Sequence, residues 1–486
     1  MKLRHDFLMF GTAIIVFMAI NRVPAQVPDT LWTRTFGGAG DDVGNSVRQT
    51  SDGGFIVVGT TGYEYCVAGN VYVIRTDVHG DTNWTRTFGG SGCDLGECVQ
   101  QTLDGGYVIC GTTTSFGAGN SDMYAIRIDA GGDTLWTRTF GGSGWDEAHY
   151  VRQTSDGGYI FVGNSTSFGG CDWDAYLVKT DYRGEVEWSQ VYAFYSNYWE
   201  FGYNVLELSE GGYIVLGKAA VYSDSYDILL IRTDDHGDTL WTKIYDREGD
   251  ESAFSIAPTS DGGFIITGME WTLEGYLYLI KTDADFDTLW TRAFNGGYHS
   301  WGYCGQQVSD SGYIAVGWAS GPSDDQDVYV VRMDADGDSL WTRRIGSDHR
   351  DEGRCVLQTS DGNYIIAGSC EDSSGVIGDI WLICLGNESS VAVTPSHVPH
   401  DFALNSPYPN PFNSSVIISY SLPAQGRVRI TIHNIIGELV MTVAEGMTSP
   451  GLNSLRWDAG SLASGIYFCR MEAEGSSQVR KMLLLR

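Results

Sequence analysis

The sequence predicts an all-β chain, a seven-bladed β-propeller of four-stranded blades with a second, smaller domain after it. Three observations carry this expectation. One phrase of about fifty residues recurs seven times between Leu31 and Leu385, the mark of stacked structural repeats. Each copy holds four short β-branched and aromatic runs and no sustained helical period. Two connections per copy are tight: Ser51-Asp52-Gly53-Gly54, where Asp-Gly supplies the positive φ angles of a two-residue hairpin, and Asp77-Val78-His79-Gly80-Asp81. Four-stranded units of this size cannot bury both faces alone, so they stack, and radial stacking of seven closes a ring.

Taken in order, residues 1–25 open with a short basic stretch, an apolar run from Phe7 to Ile20 and small cleavage positions at Val23-Pro24-Ala25, the pattern of a secretory signal peptide. The run is too short to prefer spanning a bilayer; an uncleaved anchor is the alternative. No other stretch reads as a membrane-spanning helix, so none is expected after signal removal. Residues 26–386 are the repeat. Its tryptophan stands at Trp32, Trp84, Trp136, Trp188, Trp241, Trp290 and Trp341, and its turn acid at Asp52, Asp104, Asp156, Glu210, Asp261, Asp310 and Asp361.

Asp77 followed by Gly80-Asp81-Thr82-Asn83-Trp84 resembles the tryptophan-docking motif of quinoprotein-type propellers, with a turn one residue shorter. The resemblance implies that the tryptophan lies on the outermost strand and packs between blades. Trp32 then belongs to an outer strand, the seventh copy ends on a third strand at Leu385, and the N-terminal strand completes the last blade, leaving no free edge. Phe286 replaces the turn glycine in copy five, where a locally altered turn is expected. Only the packing motif is shared, so quinone binding is not implied.

After Gly386 the repeat stops, and 387–401 is a polar, aperiodic linker. Residues 402–486 carry Tyr408-Pro409-Asn410-Pro411-Phe412-Asn413, Gly437 after Asn434-Ile435-Ile436, Trp457-Asp458, Ser464-Gly465-Ile466-Tyr467 and a terminal stretch from Lys481. These motifs, in this order, resemble the C-terminal sorting domain of type IX secretion cargo, related to the hook-capping family. The resemblance implies an immunoglobulin-like β-sandwich, the type IX machinery as partner, passage through the periplasm, and a secreted or outer-surface destination. An adhesion module without a sorting role is the alternative.

A net charge of −31 over 486 residues opposes nucleic-acid binding, which needs a basic footprint, and disfavours anionic membranes. Ten cysteines form no evenly spaced framework. Cys98, Cys304 and Cys355 share one repeat position and read as buried or channel-lining thiols, while Cys66 and Cys93 lie in neighbouring loops as a candidate pair. No zinc spacing occurs.

Variation accumulates on the face opposite the tight turns, where loops are tolerant. There Trp145, Trp173, Tyr195, Tyr198, Trp199, Trp271, Trp301 and Trp318 form a candidate aromatic surface for a glycan or protein ligand; mutual packing of the rings is the alternative. Asp42, Asp94, Asp146, Glu200, Glu251 and Asp351 recur where inner strands begin, with Ser300 in copy six, and are expected around the mouth of the central channel. Backbone capping is the first explanation; calcium is the alternative, and no other cofactor is implied. No nucleophile elbow, paired-carboxylate signature or histidine constellation stands out of the repeat. A binding protein is therefore the first reading, with a carbohydrate-active enzyme or a structural surface component as alternatives.

Overall fold

The computed structural model describes residues 27–387 except 39, 64–68, 170–171, 195–198, 223–224, 248, 273, 322–324 and 372–377, and most of 403–484. The signal segment, Cys66, Tyr195 and Tyr198 lie outside the described residues. Two compact units divide the chain, Met1–Glu388 and Ser389–Arg486.

The first unit consists of seven antiparallel four-stranded sheets, and the described residues contain no helix. Sheet I joins β2 (Asp41–Gln49), β3 (Phe55–Tyr63), β4 (Asn70–Thr76) and β5 (Thr82–Phe88). Sheets II to VI repeat this order, starting at Asp94–Gln101, Asp146–Gln153, Glu200–Glu207, Asp250–Pro258 and Ser300–Gln307. Sheet VII has Asp351–Gln358, Tyr364–Glu371 and Gly378–Leu385, and β1 (Thr30–Phe36) supplies its fourth strand, with Thr33 opposite Ile383. The chain therefore finishes its last sheet with its first strand, as the tryptophan register implies.

A repeated side-chain latch joins neighbouring sheets. The amide after each β-turn threonine donates to the residue ending the next sheet's inner strand: Ser51 to Gln101 Oε1 (2.9 Å), Leu103 to Gln153 Oε1 (2.9 Å) and Ser155 to Glu207 Oε2 (2.8 Å). The same bond runs from Ser360 in sheet VII back to Gln49 Oε1 in sheet I, at 2.9 Å. At the seam between sheets IV and V the acceptor position is Pro258, which has no side-chain oxygen to offer.

Tryptophan closes the seams from the outside. Trp32 packs on Phe55 of the next sheet (6.1 Å), and Trp84, Trp136 and Trp188 pack on Tyr107, Tyr159 and Tyr213 in the same way. Each ring also lies over the turn glycine of that sheet: a Cβ on Gly80 would stand 2.6 Å from Trp32 Cζ3. Copy five departs differently from the expectation. Its turn keeps the hydrogen bond from the Phe286 amide to Asp283 O (3.2 Å) and Phe286 adopts the glycine-like φ of 63°. Phe286 itself fills the seam, stacking on Phe264 at 4.4 Å, and Trp241 packs on Phe286 from outside, 37% exposed. The turn is conserved because its hydrogen bonds are backbone bonds; the packing around it is what changed.

Beneath the turns, a cation from the third strand pairs with the turn acid: Arg75 with Asp52 (2.5 Å), Arg127 with Asp104 (2.5 Å), Lys179 with Asp156 (2.8 Å) and Lys281 with Asp261 (2.9 Å). These recurring cations are scaffold. Their stems are buried and their heads hold the hairpin closed.

The second unit packs a three-stranded sheet (Ala403–Leu404, Ser415–Leu422, Gly451–Asp458) and a four-stranded sheet (Leu439–Thr448, Gly426–His433, Gly465–Ala473, Ser476–Leu484) around one core that includes Phe412, Ile430, Trp457, Cys469 and Met482. Asn410 pins the unit's entry to its last strand: Nδ2 donates to Lys481 O (2.9 Å) and Oδ1 accepts from Leu483 N (2.7 Å). Phe412 adds a backbone bond to Leu483 O (2.9 Å) and packs on Trp457.

Candidate functional site

Every inner strand carries a register shift at one position, between Gly44 and Ser46 in sheet I and between Gly353 and Cys355 in sheet VII. A bulge lets two successive side chains leave the strand on the same side. The residues at and after the bulge (Asn45 and Ser46, Glu97 and Cys98, His149 and Tyr150, and their counterparts) accordingly line a cavity of about 530 Å³ between the inner strands of all seven sheets.

The bulge position supplies a partial belt of rings. His149 lies 5.3 Å from Tyr203, Tyr203 5.1 Å from Phe254, and Phe254 5.5 Å from Tyr303 (centroid separations), with the Arg354 guanidinium 4.8 Å over Tyr303. Asn45 and Glu97 complete the layer as its polar part. Burial raises Glu97 to about 7 although Arg354 pulls it down. Burial, with Lys218 adding to it, lowers His149 to about 4. Lys218 sits over the rings of Tyr226 (4.4 Å), Phe201 (5.0 Å) and Tyr203 (5.8 Å), and burial depresses its ammonium.

Of the aromatic residues singled out in the sequence, Trp173 and Trp199 each pack on Phe201 at 6.2 Å, and Phe201 stacks on Tyr203 at 6.2 Å, which joins them to the belt. Trp318 donates from Nε1 to Tyr303 Oη (3.3 Å) and packs on Trp301 (5.4 Å), which meets Trp271 (6.3 Å). The rings of the belt and its flanks thus run from sheet III to sheet VI without a break. Trp145, 48% exposed, stands outside this array, and Trp318, 7% exposed, acts as support within it.

The six carboxylates lie elsewhere than expected. Asp42, Asp94, Asp146, Glu200, Glu251 and Asp351 are buried in the seams between sheets and do not line the cavity. The reason is strand periodicity: the acid and the small residue two positions on share a face, and that face abuts the preceding sheet, as Gly44 does against Gly368 O. Asp42 accepts from Gly38 N (2.7 Å) and Gly62 N (2.9 Å), Asp94 from Gly90 N (2.7 Å) and Ser115 Oγ (2.6 Å), and Asp351 from Ser347 N (2.6 Å). Asp146 accepts from Gly142 N (2.8 Å) and Glu251 from Arg247 N (3.3 Å), and Ser300 caps the Gly296 amide (2.8 Å) in copy six. Among the described residues no three acidic, histidine or cysteine side chains are grouped to hold a metal ion.

Glu97, Phe254, Tyr303 and Arg354 escaped sequence reasoning. The signal was the position three residues after each acid, where chemistry varies from copy to copy while its neighbours repeat.

Residues 406–485 match the secretion system C-terminal sorting domain. The chain is thus an exported protein, delivered by type IX secretion to the cell surface or the extracellular space. No curated protein sequence matches significantly. Among solved structures, the chain is similar to PorZ, described as an essential bacterial surface component of the type IX secretion system of Porphyromonas gingivalis, at 12% identity and a TM-score of 0.41, over 93% of this chain and 60% of that one. It is also similar to a protein of unknown function from Dyadobacter fermentans (11%, 0.43, 74% and 99%) and to a subtype N10 neuraminidase-like protein of a bat influenza A virus (9%, 0.39, 75% and 99%). The chain spans 60% of the length of PorZ. No helix of the described residues is long and apolar enough to cross a membrane.

Proposed function

We propose that this chain is an exported seven-bladed β-propeller that binds an extracellular glycan or protein ligand across its central cavity, followed by an immunoglobulin-like, hook-capping-type sandwich that serves as its export address. The ring reading is supported by the latch from Ser360 to Gln49 and by β1 completing sheet VII. The signal peptide over 1–25 and the linker over 387–401 belong to the same reading.

The observation that carries the binding function is the unbroken array of rings from Trp199 through Phe201, Tyr203, Phe254 and Tyr303. Flat side chains held by neighbours offer contact area at low entropic cost, and the polar groups beside them orient a ligand. A retaining or inverting glycosidase needs two carboxyl groups flanking the bond, and among the described residues Glu97 is the one acid that lines the cavity.

The test is a glycan-array and protein-capture screen of the secreted chain, with and without calcium, alongside Phe254→Ala and Trp199→Ala. Saturable binding lost in Phe254→Ala and weakened in Trp199→Ala supports the reading. Binding that both variants retain in full overturns it.

A further inference from the structure

Arg48 is a cavity cation whose head meets a thiol, a phenol and a backbone carbonyl. Arg48 projects from β2 and hydrogen-bonds Val47 O (2.8 Å), Cys355 Sγ (3.3 Å) and Tyr150 Oη (3.5 Å). No carboxylate pairs with it among the described residues, and its nearest group able to carry a negative charge at modest cost is the Cys355 thiol. Cys355 follows the bulge of sheet VII and Cys304 follows the bulge of sheet VI, so the two sulfurs face the same cavity from neighbouring inner strands, 3.9 Å apart. Cys304 directs its S–H at Cys355 Sγ and at Val356 O (3.6 Å).

We propose that Cys355 and Cys304 are a dithiol–disulfide couple in the central cavity, with Cys355 the attacking thiolate, Cys304 the resolving thiol and a small organic disulfide the oxidising substrate. The sulfurs must close by about 2 Å to reach bonding distance, a movement that a χ1 change provides. Cys355 thiolate attacks one sulfur of the disulfide R–S–S–R; that S–S bond breaks, one thiolate leaves and takes a proton from solvent, and a mixed disulfide forms on Cys355. Cys304 then gives up its proton, attacks Cys355 Sγ and expels the second R–S⁻. Two cysteine thiols are oxidised by two electrons and one R–S–S–R is reduced to two R–SH. Division of roles follows the surroundings: the hydrogen bond from Cys304, and then Arg48, pull Cys355 below the usual thiol range, whereas donating that bond, together with burial, pushes Cys304 up. Cys98 and Tyr150 are the other titratable groups around the Arg48 head. Export places the pair in a compartment where a disulfide persists, and the bond would tie the inner strand of sheet VI to that of sheet VII.

This inference is independent of what the aromatic belt binds. The experiment incubates the secreted full chain with bis(2-hydroxyethyl) disulfide, quenches with iodoacetamide under denaturing conditions and maps the cysteines by peptide mass spectrometry. A Cys304–Cys355 linked peptide is expected, with Cys384, whose thiol burial pushes up to about 11, recovered alkylated. In Cys304→Ser the 2-hydroxyethylthio group stays trapped on Cys355 as the mixed disulfide. Arg48→Gln slows alkylation of Cys355 near neutral pH by about tenfold and moves its pH profile upward. Recovery of both Cys304 and Cys355 as alkylated residues after oxidation overturns the proposal, as does a link formed only between Cys98 and Cys110. If Arg48→Gln does not fold, the Cys304→Ser trap decides: an unmodified Cys355 there overturns it.

Discussion

Replacing Gly80 by alanine measures how tightly the tryptophan seam is built. Gly80 has φ of 78°, a conformation that costs an L-residue roughly 1–2 kcal/mol. Its Cβ would also stand 2.6 Å from Trp32 Cζ3 and 2.8 Å from Cη2, distances at which something must move. Forcing a methyl group into a filled site adds about 1–3 kcal/mol. Gly53 provides the control, because its φ is 90° and nothing lies within 4 Å of its would-be Cβ. Gly53→Ala therefore reports backbone strain alone, and Gly80→Ala is expected to exceed it by about 1–3 kcal/mol. Urea unfolding followed by tryptophan fluorescence gives both values, provided the m-values agree. Equal destabilisation of the two variants would refute the seam as drawn. Trp241 shows the route by which the clash is relieved, a ring displaced outward, so increased acrylamide quenching is expected in Gly80→Ala.

Three further outcomes follow from the same contacts. Phe286→Gly relaxes the backbone by about 1 kcal/mol but empties a site that is 3% exposed and stacked on Phe264, so a net loss of about 2–4 kcal/mol in the same assay is expected; a stabilised variant would contradict it. Stability should fall on both sides of about pH 5. Asp52 is held low by the Thr50 hydroxyl and by Arg75, and Asp261 sits at about 2 because the Thr259 hydroxyl and Lys281 outweigh burial; such depressed groups stabilise above their unfolded value and lose that contribution as pH falls through the folded one. Burial raises Glu97 and Glu251 to about 7, so their contribution is present below the unfolded value and lost as pH rises through about 7. A calorimetric Tm profile checks this, and Glu97→Gln should flatten the alkaline limb; a Tm flat across that limb in the parent chain defeats the assignment. Asn410→Ala removes both bonds to the last strand, at a cost of about 1–3 kcal/mol, and should lower the secreted fraction relative to the periplasmic one in a fractionation blot; an unchanged ratio would separate this clasp from sorting.

Much of the architecture was legible because it repeats. The tryptophan and turn-acid positions each count seven copies, and the register of Trp32 foretold that the first strand finishes the last sheet. Phe286 was visible as an exception, yet its consequence was misjudged: a sequence shows a missing glycine and not the neighbouring ring that swings out to make room. The carboxylates were found as a repeating set and placed wrongly, since their distance from the axis depends on which face of the inner strand meets the preceding sheet. Tyr303 and Phe254 were passed over because the varying position three residues after each acid does not show what it meets; their partners lie about fifty residues away in the neighbouring copy.

What the sequence determined by itself is whatever short-range rules encode: strand number, turn chemistry, repeat count, and an export address written as contiguous motifs. Only the tertiary structure decided which side chains share the central cavity. The bulge in every inner strand turns one extra residue toward the axis, and convergence of seven strands then brings Arg48, Cys304 and Cys355 within reach of one another across more than 300 positions of chain. Such contacts arise because sheets I and VII are neighbours although they stand at opposite ends of the repeat, and no local pattern in the chain records them.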